Sequence, residues 1–132
     1  MKKKPKAKTK SWYVKKLDRV FSEWLRLSYA NDFGMATCYT CGKFAHYKDL
    51  QCGHYISRGH MATRWEEENC RVQCPGCNVF KNGNYTEYSY RLLKEIGEEK
   101  LDALMERKKE MKSWSIAELK EKIEYYAKEN GS

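Results

Sequence analysis

No apolar run in the chain approaches the ~20 residues of a membrane span, so the sequence reads as a protein without a membrane-crossing segment. No secretory signal is expected either, because the basic start MKKKPKAKTK runs into Ser11-Trp12-Tyr13-Val14-Lys15-Lys16 rather than an apolar stretch. Acid is missing from the first ten residues, which hold Lys2, Lys3, Lys4, Lys6, Lys8 and Lys10. Without those six lysines the net charge of +8 shrinks to +2, from 20 basic and 18 acidic residues. The charge signal is therefore a basic tail suited to a polyanion such as nucleic acid. Internal repeats are absent, and so is any aromatic strand of the kind that RNA-binding sheets use. Only three histidines occur, which makes the place of each informative.

Cysteine, by contrast, is plentiful. A cytosolic chain keeps its thiols reduced, and four of the six cysteines stand in C-x2-C pairs, Cys38/Cys41 and Cys74/Cys77. Each such turn can offer two thiolates to one tetrahedral zinc, so the pairs are expected to form one structural site. Gly42 permits the tight turn after the first pair. Cys52 and Cys70 lack this spacing. They read as small buried hydrophobes on facing strands rather than as a second metal site with His54 or His60.

A disordered basic tail is expected over residues 1–10, and a helix over about 12–31 with Ser11 as N-cap. That helix presents Trp12, Leu17, Val20, Phe21, Trp24 and Leu25 at helical spacing. The first knuckle occupies 35–48, with His46 beyond it as a surface residue. Leu50–Ile56 reads as a strand, 57–67 as a loop and 69–73 as a second extended piece. Cys74-Pro75-Gly76-Cys77 is expected to open a helix containing Asn78 and Lys81, with Pro75 in its first turn. Tyr88, Leu92, Leu93 and Ile96 form an amphipathic helix that Gly97 ends. Leu101, Leu104, Met105, Lys108 and Met111 suggest another. Ser115-Ile116-Ala117-Glu118 is a capping box opening the last. The fold class is α+β: a small zinc-stabilised finger flanked by an N-terminal helix and C-terminal helices. Residues 11–97 make the domain and 98–132 a helical arm.

His54 and Asn78 draw the functional reading. His54 ends an apolar strand inside the segment closed by the cysteines, and Asn78 directly follows Cys77. A histidine able to take a proton near neutral pH, facing an amide oxygen suited to Mg²⁺, provides what metal-assisted phosphodiester hydrolysis needs.

The order Cys-x2-Cys, Gly-His, Asn, Cys-x2-Cys-Asn-x2-Lys resembles the HNH (His-Me finger, ββα-metal) nucleases. More narrowly, the chain is similar to the NinG (Rap) recombination endonucleases of lambdoid phages. The motifs that carry this likeness run from Leu17 to Gly97: Leu17-Asp18-Arg19-Val20-Phe21-Ser22, Cys38-Tyr39-Thr40-Cys41-Gly42, Gly53-His54-Tyr55, Gln73-Cys74-Pro75-Gly76-Cys77-Asn78 and Lys81-Asn82-Gly83-Asn84 with Tyr88. The resemblance implies a DNA endonuclease that acts on branched DNA (Holliday junctions, D-loops) and leaves 5′-phosphate and 3′-hydroxyl ends. His54 matches the general base and Asn78 a ligand of the catalytic Mg²⁺ or Mn²⁺. Asn69 matches the residue that braces the loop, and Lys81 a phosphate contact; Arg58 and Arg64 are the other candidate DNA contacts. A homodimer, a phage recombinase partner and the host cytoplasm are the implied setting. One departure is Gly53, where many HNH enzymes place a metal-binding Asp. The cation is then expected on Asn78 and DNA oxygens, with Asp49, Gln51 and His60 as alternative ligands. The competing reading is a non-catalytic zinc-finger DNA-binding module.

Overall fold

A computed structural model describes residues 6–131, so Lys2, Lys3 and Lys4 of the basic tail lie outside the described residues. Among the described residues the fold is mixed α+β: four main helices and two small antiparallel sheets. Helix α1 spans Lys10–Tyr29. Its N-cap is Thr9, not Ser11: the Thr9 hydroxyl accepts the Trp12 amide at 3.2 Å, and Ser11 lies inside the first turn. Strands β1 (Met35–Thr37) and β2 (Phe44–His46) form a hairpin with the first cysteine pair at its tip. At three residues each, these strands are too short for alternation to reveal in sequence. His46, expected at the surface, is half-buried, and its Nδ1 accepts the Lys48 amide at 3.2 Å.

Strands β3 (Gln51–His54) and β4 (Cys70–Gln73) make the second ribbon, with His54 opposite Cys70 and Gly53 opposite Arg71. One face of this ribbon packs on α1. Cys70 and Cys52 join Leu17, Phe21 and Leu25 there, together with Trp65. On the other side Tyr88, from helix α2 (Tyr85–Ile96), sends its hydroxyl to the Gly53 carbonyl at 2.8 Å.

The helix expected after Cys77 is instead a single wide turn of π type, Gly76–Phe80. It cannot continue because Asn82, Gly83 and Asn84 all have positive φ, at 50°, 95° and 50°. Helix α3 covers Glu98–Arg107, and Met111 lies beyond it, fully exposed. Helix α4 (Ile116–Glu129) opens with the Ser115/Glu118 capping box. No helix among the described residues is long and apolar enough to cross a membrane.

Helix α4 is not a free arm. Leu119, Ile123 and Tyr126 close over Leu17, Phe21 and Leu25 of α1, and the Phe21 and Tyr126 rings meet edge-on at 5.0 Å. Asn130 Nδ2 bonds the Val20 carbonyl at 3.2 Å, and Trp114 Nε1 the Met61 carbonyl at 2.9 Å. The apolar faces of the N- and C-terminal helices thus cover each other. Leu119 has no exposed surface. Leu119→Ala should therefore cost about 2–5 kcal/mol, read as a lower urea midpoint with an unchanged slope. A loss below about 0.5 kcal/mol would mean that α4 is not part of the core.

Candidate functional site

The four cysteines of the C-x2-C pairs converge. Their sulfurs lie within 4.8 Å of one another, and Cys41 and Cys74 are 3.7 Å apart. A tetrahedral zinc with bonds of about 2.3 Å requires sulfurs about 3.8 Å apart, so the donor set fits a metal such as zinc. Backbone geometry preshapes it. The Gly42 amide, at φ +81°, bonds the Cys38 carbonyl at 3.0 Å, and the Asn78 amide bonds the Cys74 carbonyl at 2.9 Å. Burial alone would push the Cys38 thiol up, but the Cys74 amide, the Thr40 hydroxyl and further backbone donors outweigh it and lower the thiol to about 6. Cys41 goes the other way. The Lys43 amide favours its thiolate, but some burial and the neighbouring Cys38, Cys74 and Cys77 sulfurs hold the thiol up at about 12. Thiols this crowded ionise together only around a cation.

Beside the cluster, between α1 and β3, lies a cleft of about 550 Å³. His54, Asn78, Gln51, Arg58 and Asp18 all face it. The two chemical candidates, 24 positions apart in the chain, thus share one space.

His54 is oriented by the protein. One ring nitrogen, Nε2, lies 2.9 Å from the Arg64 carbonyl. A carbonyl only accepts, so Nε2 carries the hydrogen and Nδ1 keeps its lone pair. Burial lowers the His54 pKa below the ordinary histidine value, and the Arg58 and Arg64 charges add to this against the Arg64 carbonyl and Asp18. The ring is held as a neutral base.

The Arg64 carbonyl is itself held in place. Asp18, on α1, receives the Arg64 guanidinium on both carboxylate oxygens and the Trp65 Nε1–H at 3.0 Å. Arg64 also donates to the Arg58 carbonyl at 2.9 Å, and only 16% of its side chain is exposed. Its donors are thus committed within the protein, whereas Arg58 is 63% exposed and lines the cleft. Lys81 is exposed at the end of the wide turn and does not line the cleft. Asn69 is fully buried: it accepts the Ile56 amide at 2.7 Å and donates to the Ile56 and Thr63 carbonyls at 3.0 Å each. It ties both ends of the loop that follows His54.

Asn78 donates its Nδ2 to Gln51 Oε1 at 2.8 Å, which leaves its own oxygen for another partner. Of the alternative ligands only Gln51 reaches this cleft. His60 lines a separate hollow, and Asp49 lines neither. Gly53 has a packing reason. A Cβ there would lie 2.0 Å from Gln73 Oε1 and 2.6 Å from its Cδ. The Gln73 side chain crosses over Gly53 to bond the Thr40 hydroxyl at 3.1 Å and the Gly83 carbonyl at 2.9 Å. Gly53→Asp should therefore lower the melting temperature by several degrees (roughly 1–3 kcal/mol) without tightening Mg²⁺ binding; calorimetry and Mg²⁺ titration read both.

Asp18 has no assigned role in the sequence, and Gln51 stands there only as an alternative cation ligand, not as the partner of the Asn78 amide. The signals for Asp18 are its place in the Leu17–Ser22 motif and an acid beside Leu17, three residues before Phe21, at the edge of a buried helix face.

Fold and site define a small α+β protein with a thiol cluster able to hold zinc and an oriented histidine in the adjoining cleft. The family model described as Bacteriophage Lambda NinG protein matches residues 1–130, and the chain belongs to the NinG family. It is 29% identical over 123 residues to Protein ninG of Escherichia phage lambda, covering 92% of this chain and 57% of that protein. It is 27% identical over 112 residues to Protein ninG of Escherichia phage 933W, covering 84% and 53%. The chain thus spans about half the length of these curated relatives. No solved structure matches it.

Proposed function

We propose that this NinG-family chain is a metal-dependent DNA endonuclease of the HNH type that cuts branched recombination intermediates. The observation that carries the reading is the His54 imidazole, tied at Nε2 and free at Nδ1, in one cleft with Asn78. Nδ1 takes a proton from water, and the hydroxide attacks phosphorus in line with the departing 3′-oxygen. Arg58, exposed at the rim, approaches a neighbouring phosphate. Lys81 contacts the backbone farther out, and Asn69 keeps the loop after His54 in register. A Mg²⁺ or Mn²⁺ ion on the Asn78 oxygen and substrate oxygens would stabilise the charge that builds on the phosphoryl group. The Asn78 side chain suits that role because Gln51 occupies its amide nitrogen. Paired cuts across a junction require two copies of the site. A homodimer must then use surfaces other than the mutually covered faces of α1 and α4.

The test is cleavage of a labelled four-way junction against a linear duplex of the same sequence, with Mg²⁺ or Mn²⁺. Faster junction cutting, leaving 5′-phosphate ends, is expected. A protein that binds both substrates and cuts neither is the zinc-finger DNA-binding module instead.

A further inference from the structure

Cys52 and His54 are two residues apart on β3 and therefore face the same way. The register sets Cys70 directly across from His54, which brings a second sulfur to that face. The two sulfurs and an imidazole nitrogen all lie within 4.8 Å of one another. Cys52 and His54 line the cleft, while Cys70 is fully buried beneath them. His54 already donates Nε2–H to a backbone carbonyl, which is how a ligating histidine is ordinarily oriented. Its free Nδ1 is then the atom available to a metal. We infer that Cys52, His54 and Cys70 form a second, three-ligand site for a thiophilic divalent cation such as Zn²⁺, open to the cleft at its fourth position, and that filling it blocks the cleft's chemistry.

This reverses the expectation that Cys52 and Cys70 serve only as small hydrophobes. Two thiolates neutralise a divalent cation, so the filled site places no net charge beneath α1. Sulfur ligands disfavour Mg²⁺, so this is not the site of a catalytic Mg²⁺. The metal site stands on geometry alone. Its inhibitory effect rests on the nuclease reading, because Nδ1 cannot hold zinc and accept a proton from water at once.

The experiment counts zinc bound to the full chain after dialysis against buffered micromolar Zn²⁺. Two ions per chain are expected, one for each cluster. Cys52→Ser and His54→Gln should each bind one, with unchanged circular dichroism. Cobalt titration adds a spectroscopic check: the second equivalent should bring further thiolate-to-cobalt absorption that Cys52→Ser lacks. Wild type that saturates at one ion, or Cys52→Ser that still holds two, overturns the site. In the cleavage assay the same zinc should slow wild type about tenfold or more and slow Cys52→Ser's own cutting much less. Undiminished cutting by wild type carrying two ions overturns the inhibition. Wild type that never cuts sinks the nuclease reading, and the metal count still decides the site.

Discussion

Replacing His54 by alanine is expected to reduce junction cleavage by about 10²- to 10⁴-fold, the range for a positioned general base, while the protein stays folded and keeps the metal of its four-cysteine cluster. The side chain is half-buried at the end of β3, and among the described residues its hydrogen bond is to the Arg64 carbonyl. Water from the cleft can solvate that carbonyl once the ring is gone. Asp18, Trp65 and Asn69 continue to hold the surrounding loop. The loss should therefore appear in kcat and not in the melting curve. Cutting by His54→Ala at the wild-type rate would refute the mechanism.

The same residue sets the sign of the pH dependence. Burial depresses the folded-state pKa of His54 below the ordinary value of about 6.5. The active neutral form therefore survives below that pH, and the acid limb of kcat/KM should fall with an apparent pKa under 6.5 that His54→Ala lacks. Stability follows the same direction. The unfolded chain binds the proton more readily, so the contribution is complete above the unfolded pKa and is lost as pH falls through the folded one.

Cys74→Ser should act in the opposite way, removing metal and fold together. Cys74 is 5% exposed and its sulfur lies 3.7 Å from that of Cys41. The cluster joins the short β1–β2 hairpin to the wide turn that carries Asn78. Structural zinc contributes about 10–16 kcal/mol of apparent binding energy in small zinc peptides. A domain's whole stability is about 5–15 kcal/mol, so losing the ion is decisive. Zinc content and a thermal melt measure both effects, and a strong chelator should reproduce them in wild type. A Cys74→Ser protein that melts normally and still holds zinc at Cys38, Cys41 and Cys77 would reject the assignment. The contrast with His54→Ala separates the residue that does chemistry from those that hold its frame.

What could be read from sequence follows the range of the forces involved. The helices were legible because burying one face repeats an apolar residue every three or four positions, as Leu17, Phe21 and Leu25 do. The cysteine cluster was legible because two thiolates on one metal demand a short fixed spacing. The helix expected around Asn78 failed because Asn82, Gly83 and Asn84 stop it, and only the backbone angles show how early.

By itself, then, the sequence determined the metal-binding pattern, the main helices with the Ser115 cap, and the likeness to the NinG family, because each is carried by neighbours along the chain. The tertiary structure decided which surfaces meet. It showed α4 closing over α1, the Asp18–Arg64–His54 chain of contacts across 46 positions, Gln73 occupying the space over Gly53, and Cys52 and Cys70 gathered around His54. Those features depend on how separate faces and strands register against one another. A period along one segment states that a face is apolar, and only packing states what covers it.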